Sequence, residues 1–399
     1  MRYNLCMRIL GIETSCDETA VCLIEAEGAF GPDFHFKILG NALSSQAAIH
    51  AQFGGVFPNL AKNEHSKNLV PMLTQTLDEA HALEKGLTMS FSGHRKSLEE
   101  ILAREPELYE KLEEFLQKYE RPNIDCIAVT AGPGLAPALW VGVNFAKALS
   151  LIWDTPIIAV DHMEGHIVMS MMKDGALAHF EFPVLSLLVS GGHTEFVLSE
   201  KFGRYKLVGR TRDDAAGEAF DKVARMLGLP YPGGPHISRL AAKARTSSEV
   251  TPHWMKLPRP MLHEDNFDFS FSGLKTAVLR IVEANTPLAD EMKTVIAREF
   301  EDAVADVLVG KTLRAVDTYG ANAVIMGGGV SANTHIRHRL AETLAEEGNI
   351  AKLLVCPPEF STDNALMIAL PGYFDALKKE FADPTTLVAN ADLSLGDRT

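Results

Sequence analysis

Two units of strand, polar turn and strand constrain the fold more than any other feature of the sequence. The runs RILGIET (8–14) and AVCLIEA (20–26) flank the polar turn SCDET, and PVLSLLVS (183–190) and TEFVLSE (194–200) repeat this scheme around GGH. Short apolar runs bounded by polar or glycine-rich turns predict strands. Because the scheme recurs far apart in the chain, it indicates two related lobes.

Helical patterns alternate with these strands, so the sequence predicts an α/β protein. In AVIMGGGVSANTHIRHRL (323–340) a buried strand runs into three glycines, and a helix starts near Ser331. Glycines let a ligand approach the backbone closely, and a helix N-terminus attracts anions. We interpret this turn as a nucleotide site. The alternative is a strand-to-helix corner with flexible glycines.

Composition excludes several classes of protein. The 399 residues include 46% hydrophobic and 23% charged residues, which is ordinary for a soluble protein, and the net charge is −14. That charge disfavours nucleic-acid binding by the whole surface, although a local basic patch remains compatible with it. Five scattered cysteines without a CxxC pair argue against a disulfide framework. No apolar run approaches the ~20 residues that span a bilayer, so we expect a cytoplasmic protein without membrane contact.

Residues 85–121 differ from the rest of the first lobe, because they are strongly charged and carry apolar residues at helical spacing. Leu108, Leu112 and Leu116 are examples of that spacing. We predict a helical insertion on the surface, with a structural or partner-docking role.

The stretch VDHMEGHIVM (160–169) places His162 and His166 four positions apart. On a helix, residues four apart are neighbours, so the two imidazoles could share one metal ion. The pair follows the strand-like run IIAV, and ligand sites gather at the carboxyl ends of strands in α/β proteins. Asp363, which opens another helix, is a candidate third ligand. An accidental histidine pair is the alternative.

A zinc protease is disfavoured by the position of Glu164. Zinc proteases of the HExxH type have a glutamate directly after the first histidine. Here Glu164 lies two positions from each histidine. At ~100° per residue it is about 200° from both, on the opposite face of the helix.

Several stretches together resemble the TsaD family, in its bacterial form. They are GIETSCDETAV, AGPGL, DHMEGH, LLVSGGHT, DDAAGEAFDKVARMLGLPYPGGP, FDFSFSGLKT, MGGGVSAN and STDNALMIA, and they run from about residue 8 to about 372. The resemblance implies a two-lobed actin/Hsp70/sugar-kinase-like (ASKHA) fold with duplicated ribonuclease-H-like lobes. It also implies transfer of a threonylcarbamoyl group from threonylcarbamoyl-AMP to N6 of adenosine 37 in tRNAs that read ANN codons.

The resemblance also assigns site residues. The metal ligands would be His162, His166 and Asp363, holding one divalent ion, Fe²⁺ in first place and Zn²⁺ as the alternative. Asp17 would be a catalytic or orienting carboxylate, with a turn aspartate as the alternative. The residues that bind threonylcarbamoyl-AMP or an adenine nucleotide would be Leu188, Val189, Ser190, Gly191, Gly192, Asp221, Gly234 and Asn333. For Asp221 the alternative is a surface charge on a helix.

The expected domains are an N-terminal lobe at 1–158 and a C-terminal lobe at 159–371. The first would contain the insertion at about 85–121 and be completed by a C-terminal helix at about 372–399. The second would carry the metal and nucleotide motifs. The expected partners are tRNA, a TsaB-like paralogue and a TsaE-like ATPase. A sugar-kinase-like or actin-like ATPase, a non-catalytic scaffold and, remotely, a metalloprotease are the other functions considered.

The sequence departs from the family pattern in GGVFPNLAKNEHSKNL (54–69). Relatives commonly have Glu, Ser and Arg where this chain has Asn59, Lys62 and Asn63, while His65 persists. This helix faces partners in the family, so the resemblance leaves the details of partner docking open.

Overall fold

Strands and helices alternate along the chain, and the computed structural model describes residues 6–86, 88, 91–246, 252–346 and 351–397. The strands are β1 Met7–Glu13, β2 Glu18–Glu27, β3 His35–Ser45, β4 Cys126–Gly132, β5 Ile157–Asp161, β6 Met172–Lys173, β7 Ala176–Leu177, β8 Val184–Val189, β9 Thr194–Lys201, β10 Arg204–Arg210, β11 Ala323–Gly327 and β12 Lys352–Val355. The helices are α1 Ala47–His50, α2 Pro58–Glu79, α3 Phe91–Ile101, α4 Pro106–Lys118, α5 Ala136–Trp153, α6 His162–Ser170, α7 Ala216–Met226, α8 Gly233–Thr246, α9 Ser272–Ala284, α10 Asp290–Tyr319, α11 Thr334–Glu346 and α12 Leu366–Lys378. Short 3-10 helices lie at Ala51–Phe53, His253–Met255, Gly329–Ala332, Pro358–Phe360 and Leu395–Asp397.

The chain divides into two compact units. The first contains the residues up to Ile49, Val56–His179 and Asp363–Asp397. The second contains His50–Gly55 and Phe180–Thr362. Each unit has its own sheet, as the two strand–turn–strand repeats predict.

The two sheets share one topology. In the first unit the order β5-β4-β1-β2-β3-β7-β6 contains an antiparallel meander, β1 to β3, followed by β4 and β5 parallel to β1. In the second unit the order is β10-β9-β8-β11-β12, again a meander of three strands followed by two parallel ones. The prediction of two related α/β lobes is therefore confirmed by matching strand order and direction.

The central strands are buried along their whole length. Every residue of β4 and of β8 is buried, and so are the last five residues of β1. Strands covered on both faces become continuous apolar runs, because neither face can carry solvated side chains. This explains why their sequences show no polar alternation.

The insertion forms two helices, α3 and α4, whose apolar face belongs to the core of the first unit. Leu98, Leu108, Leu112 and Leu116 are at most 1% exposed and pack in one cluster with residues of α2 and α5. The predicted helical spacing is therefore confirmed. The leucine face is covered by the core, while the opposite face of α4, which includes the exposed Glu110, lies on the surface.

The boundary between the units differs from the predicted division at 158/159. That position lies inside β5, which pairs with β4 in the first sheet, so the metal motif at the start of α6 belongs to the first unit. The predicted helix at 372–399 is too long. It ends at Lys378, because Lys379 has a left-handed backbone (φ 62°), and the following tail hydrogen-bonds to Ala131 and Ile157.

One helix in the described part of the chain, α5, is long and apolar enough to cross a membrane by length and composition alone. It is 67% buried inside the fold, which is typical of a core helix. The length and composition of α5 are therefore only weak evidence for a membrane segment.

We predict that the insertion contributes directly to the stability of the first unit. Leu112→Ala should lower the free energy of unfolding by about 2–5 kcal/mol, because it opens a cavity in a closed cluster. Glu110→Ala, at an exposed position of the same helix, should change it by less than about 0.5 kcal/mol. Urea titration followed by circular dichroism measures both. Equal, small effects would mean that α4 does not share the core.

Candidate metal centre

The candidate centre lies at the carboxyl ends of parallel strands in the first unit. β1 ends at Glu13, and β5 ends at Asp161, directly before His162. Asp161 caps α6, since its Oδ1 accepts a hydrogen bond from the backbone N–H of Met163 at 2.8 Å. The cap fixes where α6 starts and therefore where its two histidines point.

The structure brings together His162, His166 and Asp363. Asp363 Oδ1 lies 3.4 Å from His162 Nε2 and 3.3 Å from His166 Nε2. The three ligand atoms are all within 4.8 Å of one another, and both histidines are buried. A set of two imidazoles and one carboxylate suits Zn²⁺ or Fe²⁺ and leaves coordination positions open.

Glu13 orients the first histidine. Its Oε2 lies 3.1 Å from His162 Nδ1, and Thr130 Oγ1 donates a hydrogen bond to the same oxygen at 2.6 Å. A carboxylate can only accept here, so we infer that Nδ1 donates to Glu13 and that Nε2 is the nitrogen that faces Asp363. Such a carboxylate–histidine pair fixes the tautomer of a metal ligand and increases its basicity.

The charges at the centre are strongly coupled. Burial alone would raise the pKa of Glu13, but His162 holds it below its ordinary value. Burial alone would lower the pKa of His162, but Asp363 and Glu13 hold it well above its ordinary value. The pKa of Asp363 is far below its usual range because the two histidines outweigh burial. Burial lowers the pKa of His166. The buried carboxylate of Glu13 and the half-buried carboxylate of Asp363 thus face a position where positive charge is stabilised.

An unsatisfied atom supports the fit to a metal. His166 Nε2 is buried and makes no hydrogen bond of acceptable geometry among the described residues, although Asp363 Oδ1 lies 3.3 Å from it. A buried polar nitrogen in such a position is costly unless something binds it. The donor set and this nitrogen together fit a divalent ion.

The turn between β1 and β2 adds carboxylates near the centre. Asp17 is 8% exposed, and Ser15 Oγ of the same turn lies 3.2 Å from His162 Nδ1. The pKa of Glu18 is raised to about 10, chiefly by burial and then by the charges of Asp17 and Asp363. Crowding of like charges in a buried turn is a feature of functional sites.

His65 of α2 holds this turn from the other side. Its Nε2 lies 3.1 Å from the carbonyl oxygen of Cys16, and its Nδ1 lies 2.8 Å from Thr19 Oγ1. A carbonyl only accepts, so Nε2 carries the proton and Nδ1 accepts from the hydroxyl. His65 therefore ties α2 to the residues that flank Asp17.

The predicted nucleotide residues lie in the second unit. Leu188 and Val189 are the buried end of β8, and Ser190, Gly191 and Gly192 form the turn that follows. The carbonyl of Val189 would be 2.6 Å from a Cβ at Gly328, and the carbonyl of Ser190 would be 2.5 Å from one at Gly217. The β8 turn, the start of α7 and the Gly-rich turn after β11 are therefore packed against each other.

Asp221 and Gly234 lie on neighbouring helices. Asp221 Oδ1 accepts a hydrogen bond from the backbone N–H of Gly233 at 2.6 Å, so it caps the start of α8, where Gly234 is the second residue. Among the described residues, and apart from the adjacent residues and the backbone of its own helix, no atom lies within 4 Å of a Cβ placed at Gly234. The contact of Asp221 gives it a structural role that the sequence did not predict.

Asn333 also has a structural role. Its Oδ1 accepts from the backbone N–H of Ile336 at 3.0 Å and caps α11, while its Nδ2 donates to Glu301 Oε1 at 2.7 Å and to Ser238 Oγ at 2.9 Å. The buried Glu301 in turn accepts from Arg245 at 2.6 Å. The side chain thus joins three helices of the second unit.

Comparisons with known proteins identify the family of the chain. The sequence model described as "TsaD: tRNA N6-adenosine threonylcarbamoyltransferase" matches residues 37–89 and 107–370. The chain belongs to the TsaD family. Acyl transfer to tRNA is therefore its family-level activity. The residues between the matched ranges, 90–106, contain α3 and lie inside the predicted insertion.

Solved structures support the fold. HypF from T. kodakarensis is 11% identical at a TM-score of 0.52, over 96% of this chain and 49% of that one. This chain thus spans about half of HypF. The ROK hexokinase of Thermus thermophilus is 14% identical at a TM-score of 0.40, over 93% and 100% of the two chains. With the matching sheets, the HypF likeness confirms the predicted actin- and sugar-kinase-like fold class.

We predict that Glu13 sets the metal affinity. Glu13→Gln should weaken Zn²⁺ binding about 10–100-fold, because the ring of His162 loses its charged acceptor. Isothermal titration calorimetry of the metal-free protein measures this. Glu25→Gln is the matched control, since Glu25 lies on the neighbouring strand and pairs with Arg8 at 3.1 Å. Unchanged Zn²⁺ affinity in Glu13→Gln would mean that Glu13 does not contribute to metal binding.

We predict that Asp302 stabilises the second unit above pH 4. Asp302 contacts Arg245 and His335, and these outweigh burial and lower its pKa to about 2. A depressed pKa stabilises the fold above the unfolded value near ~3.9 and loses this effect as pH falls toward 2. Asp302→Asn should cost about 1 kcal/mol at pH 7, after discounting for solvent screening.

The measurement is the free energy of unfolding as a function of pH. The difference in the free energy of unfolding between wild type and Asp302→Asn should decrease as the pH falls from about 4 to about 2. Asp317→Asn, at an exposed position of the same helix, should show no such trend. A constant difference across this range would contradict an ionic role for Asp302.

Proposed function

We propose that the chain transfers the threonylcarbamoyl group from threonylcarbamoyl-AMP to N6 of adenosine 37 in tRNAs that read codons starting with A, and that AMP is released. One observation carries the proposal. A chain of the TsaD family holds His162, His166 and Asp363 in one buried set, with His162 oriented by Glu13. The family-level activity supplies the reaction, and the set supplies a place for its metal.

His162, His166 and Asp363 would hold one divalent ion per subunit, Fe²⁺ in first place and Zn²⁺ as the alternative. When bound, the ion supplies Lewis-acid polarisation and a template for the substrate. Glu13 binds Nδ1 of His162 and so leaves Nε2 as the nitrogen that would face the ion. Both histidines are buried, so solvent has little access to their ring nitrogens.

The reaction requires that the donor and the adenosine be held in position and that one group accept the proton of N6. The donor is a mixed anhydride, so its carbonyl carbon is already activated and AMP is a good leaving group. A bond forms between N6 of adenosine and this carbon, the bond from the carbon to the phosphate oxygen breaks, and AMP departs with that electron pair. We assign the N6 proton to Asp17, which lies in the buried turn that contacts His162. No covalent enzyme intermediate is required.

We assign the adenylate to the turns of the second unit. Backbone N–H groups of the Leu188–Gly192 stretch would face phosphate, as glycine-rich turns do. Asp221 would accept hydrogen bonds from ribose hydroxyls, and Gly234 would let the adenine lie against backbone. Asn333 would contribute from the N-terminus of α11, where its side chain already fixes the helix start.

Other functions need different residues. A sugar-kinase-like or actin-like ATPase has no use for the histidine pair, because such enzymes bind Mg²⁺ through phosphates and carboxylates. A scaffold would have no reason to keep an oriented, buried ligand set. We therefore favour the transferase over the ATPase and the scaffold. Its proposed partners are tRNA, a TsaB-like paralogue and a TsaE-like ATPase, and its proposed location is the cytoplasm.

We predict metal-dependent transfer of labelled threonine to an unmodified ANN-decoding tRNA. Threonylcarbamoyl-AMP would be supplied by a separate synthase, with and without a TsaB-like and TsaE-like pair. His166→Ala should reduce transfer about 100-fold or more, because a ligand is lost. His35→Ala, at an exposed histidine of the same unit, should retain full activity.

The metal content of each variant is measured beside its activity. The proposal is supported if His166→Ala loses both its metal and the transfer activity while His35→Ala keeps both. A wild-type protein that is folded and metal-loaded but transfers no label under any condition would contradict it. Hydrolysis of ATP in that case would favour the ATPase.

A further inference from the structure

A cluster of positive charge lies at the edge of the second sheet. Five of the chain's 38 lysines and arginines fall within the 12 residues 201–212, and this segment contains no aspartate or glutamate. The chain as a whole has a net charge of −14. The cluster is therefore a local region of positive charge on a negatively charged protein.

The strand geometry presents these charges to solvent. β10 is the edge strand of its sheet, and its exposed residues are Arg204, Lys206 and Arg210. Tyr205 and Gly209 are buried beneath them. Lys201, at the end of β9, is exposed as well. We call Lys201, Arg204, Lys206 and Arg210 the β10 basic stripe.

The charges of the stripe are available to a ligand. Arg212, just beyond the strand, pairs with Asp268 at 2.9 Å. In the part of the chain that the structure describes, no carboxylate oxygen lies within ion-pair distance of a stripe nitrogen. The acidic residues beside the stripe are Glu200, next to Lys201, and Glu195, which is paired with Arg210 in the strand register. Asp268, the partner of Arg212, also accepts a hydrogen bond from the backbone N–H of Arg210 at 3.1 Å. The stripe thus keeps a net positive charge.

Edge protection explains only part of this pattern. A lysine or two on an edge strand discourages pairing with another chain. Arg204 and Lys206, two residues apart in β10, are both exposed and repel each other, at about 6.6 Å along the strand. A polyanion with regularly spaced charges removes this repulsion, because each phosphate can lie between neighbouring cations.

We propose that the β10 basic stripe binds the phosphodiester backbone of tRNA. The inference rests on the proposed function, since that function makes tRNA the substrate. Charge complementarity carries it, because an acidic protein needs a local basic surface to hold a polyanion. Guanidinium groups suit this role, since they make paired hydrogen bonds to phosphate oxygens. Contacts of this kind set affinity and orientation and carry no sequence information.

The test is tRNA affinity measured against salt. Arg204→Gln, Lys206→Gln and Arg210→Gln are combined in one variant of the full chain. The matched control combines Arg225→Gln, Lys256→Gln and Arg280→Gln, which removes the same charge from scattered exposed positions of the same unit. Fluorescence anisotropy with an unmodified ANN-decoding tRNA transcript gives the dissociation constant between about 50 and 200 mM salt.

The stripe variant should bind tRNA roughly 10–100-fold more weakly, and the slope of log K against log salt should become shallower by about 2–3. In the transfer assay its KM for tRNA should rise while kcat at saturating tRNA is kept. A variant with Arg204→Lys and Arg210→Lys, which retains the charges, should keep most of the affinity. The scattered control should stay close to wild type.

Two results would overturn the proposal. Equal weakening by the stripe variant and the scattered control would mean that only net charge matters. If the stripe variant binds tRNA with unchanged affinity and unchanged salt slope but self-associates, the charges of the stripe serve to keep the edge strand from pairing with another chain. Failure of the proposed function gives a different pattern, in which no label is transferred although tRNA binding depends on the stripe.

Discussion

A buried hydrogen bond between Glu13 and His162 is the contact on which the metal centre depends. It joins the carboxyl end of β1 to the first residue of α6, 149 positions later in the chain. A buried carboxylate is costly unless its oxygens are satisfied, and Glu13 also accepts from Thr130 Oγ1 and from the backbone N–H of Ser15. One carboxylate thus fixes the orientation of the ring and supplies negative charge to a site for a cation.

Close approach of α12 brings the third ligand to this pair. A Cβ at Gly11 in β1 would lie 2.3 Å from the carbonyl oxygen of Ala365, and one at Gly165 in α6 would lie 2.8 Å from that of Met367. Both glycines are therefore required for the start of α12 to pack against β1 and α6. Asp363 lies three residues before the first residue of this helix, so the same packing carries its carboxylate to the two histidines.

The sequence was most informative where chemistry follows from local spacing. The separation of His162 and His166 and their place after a strand predicted the pair, and the polar turn before a later helix suggested Asp363, which the family resemblance also assigned. Glu13 was missed, although an acidic residue at the end of an apolar strand is a usable signal. The capping contacts of Asn333 and the end of the last helix at Lys378 depend on partners distant in sequence. No local pattern encodes those contacts, so only the folded chain reveals them.

The departures from the family pattern meet in space, which gives them a common explanation. Lys62, where relatives commonly have serine, pairs with Glu105 at 3.3 Å, and Glu105 lies in the segment that the family model leaves unmatched. The Glu105 side chain is only 1% exposed, so it needs this partner, and Asn144 of α5 donates to its other oxygen at 3.3 Å. His65 lies one turn further along α2 and contacts the carbonyl of Cys16. The face of α2 that contacts the insertion through Lys62 therefore also contacts, through His65, the turn that carries Asp17.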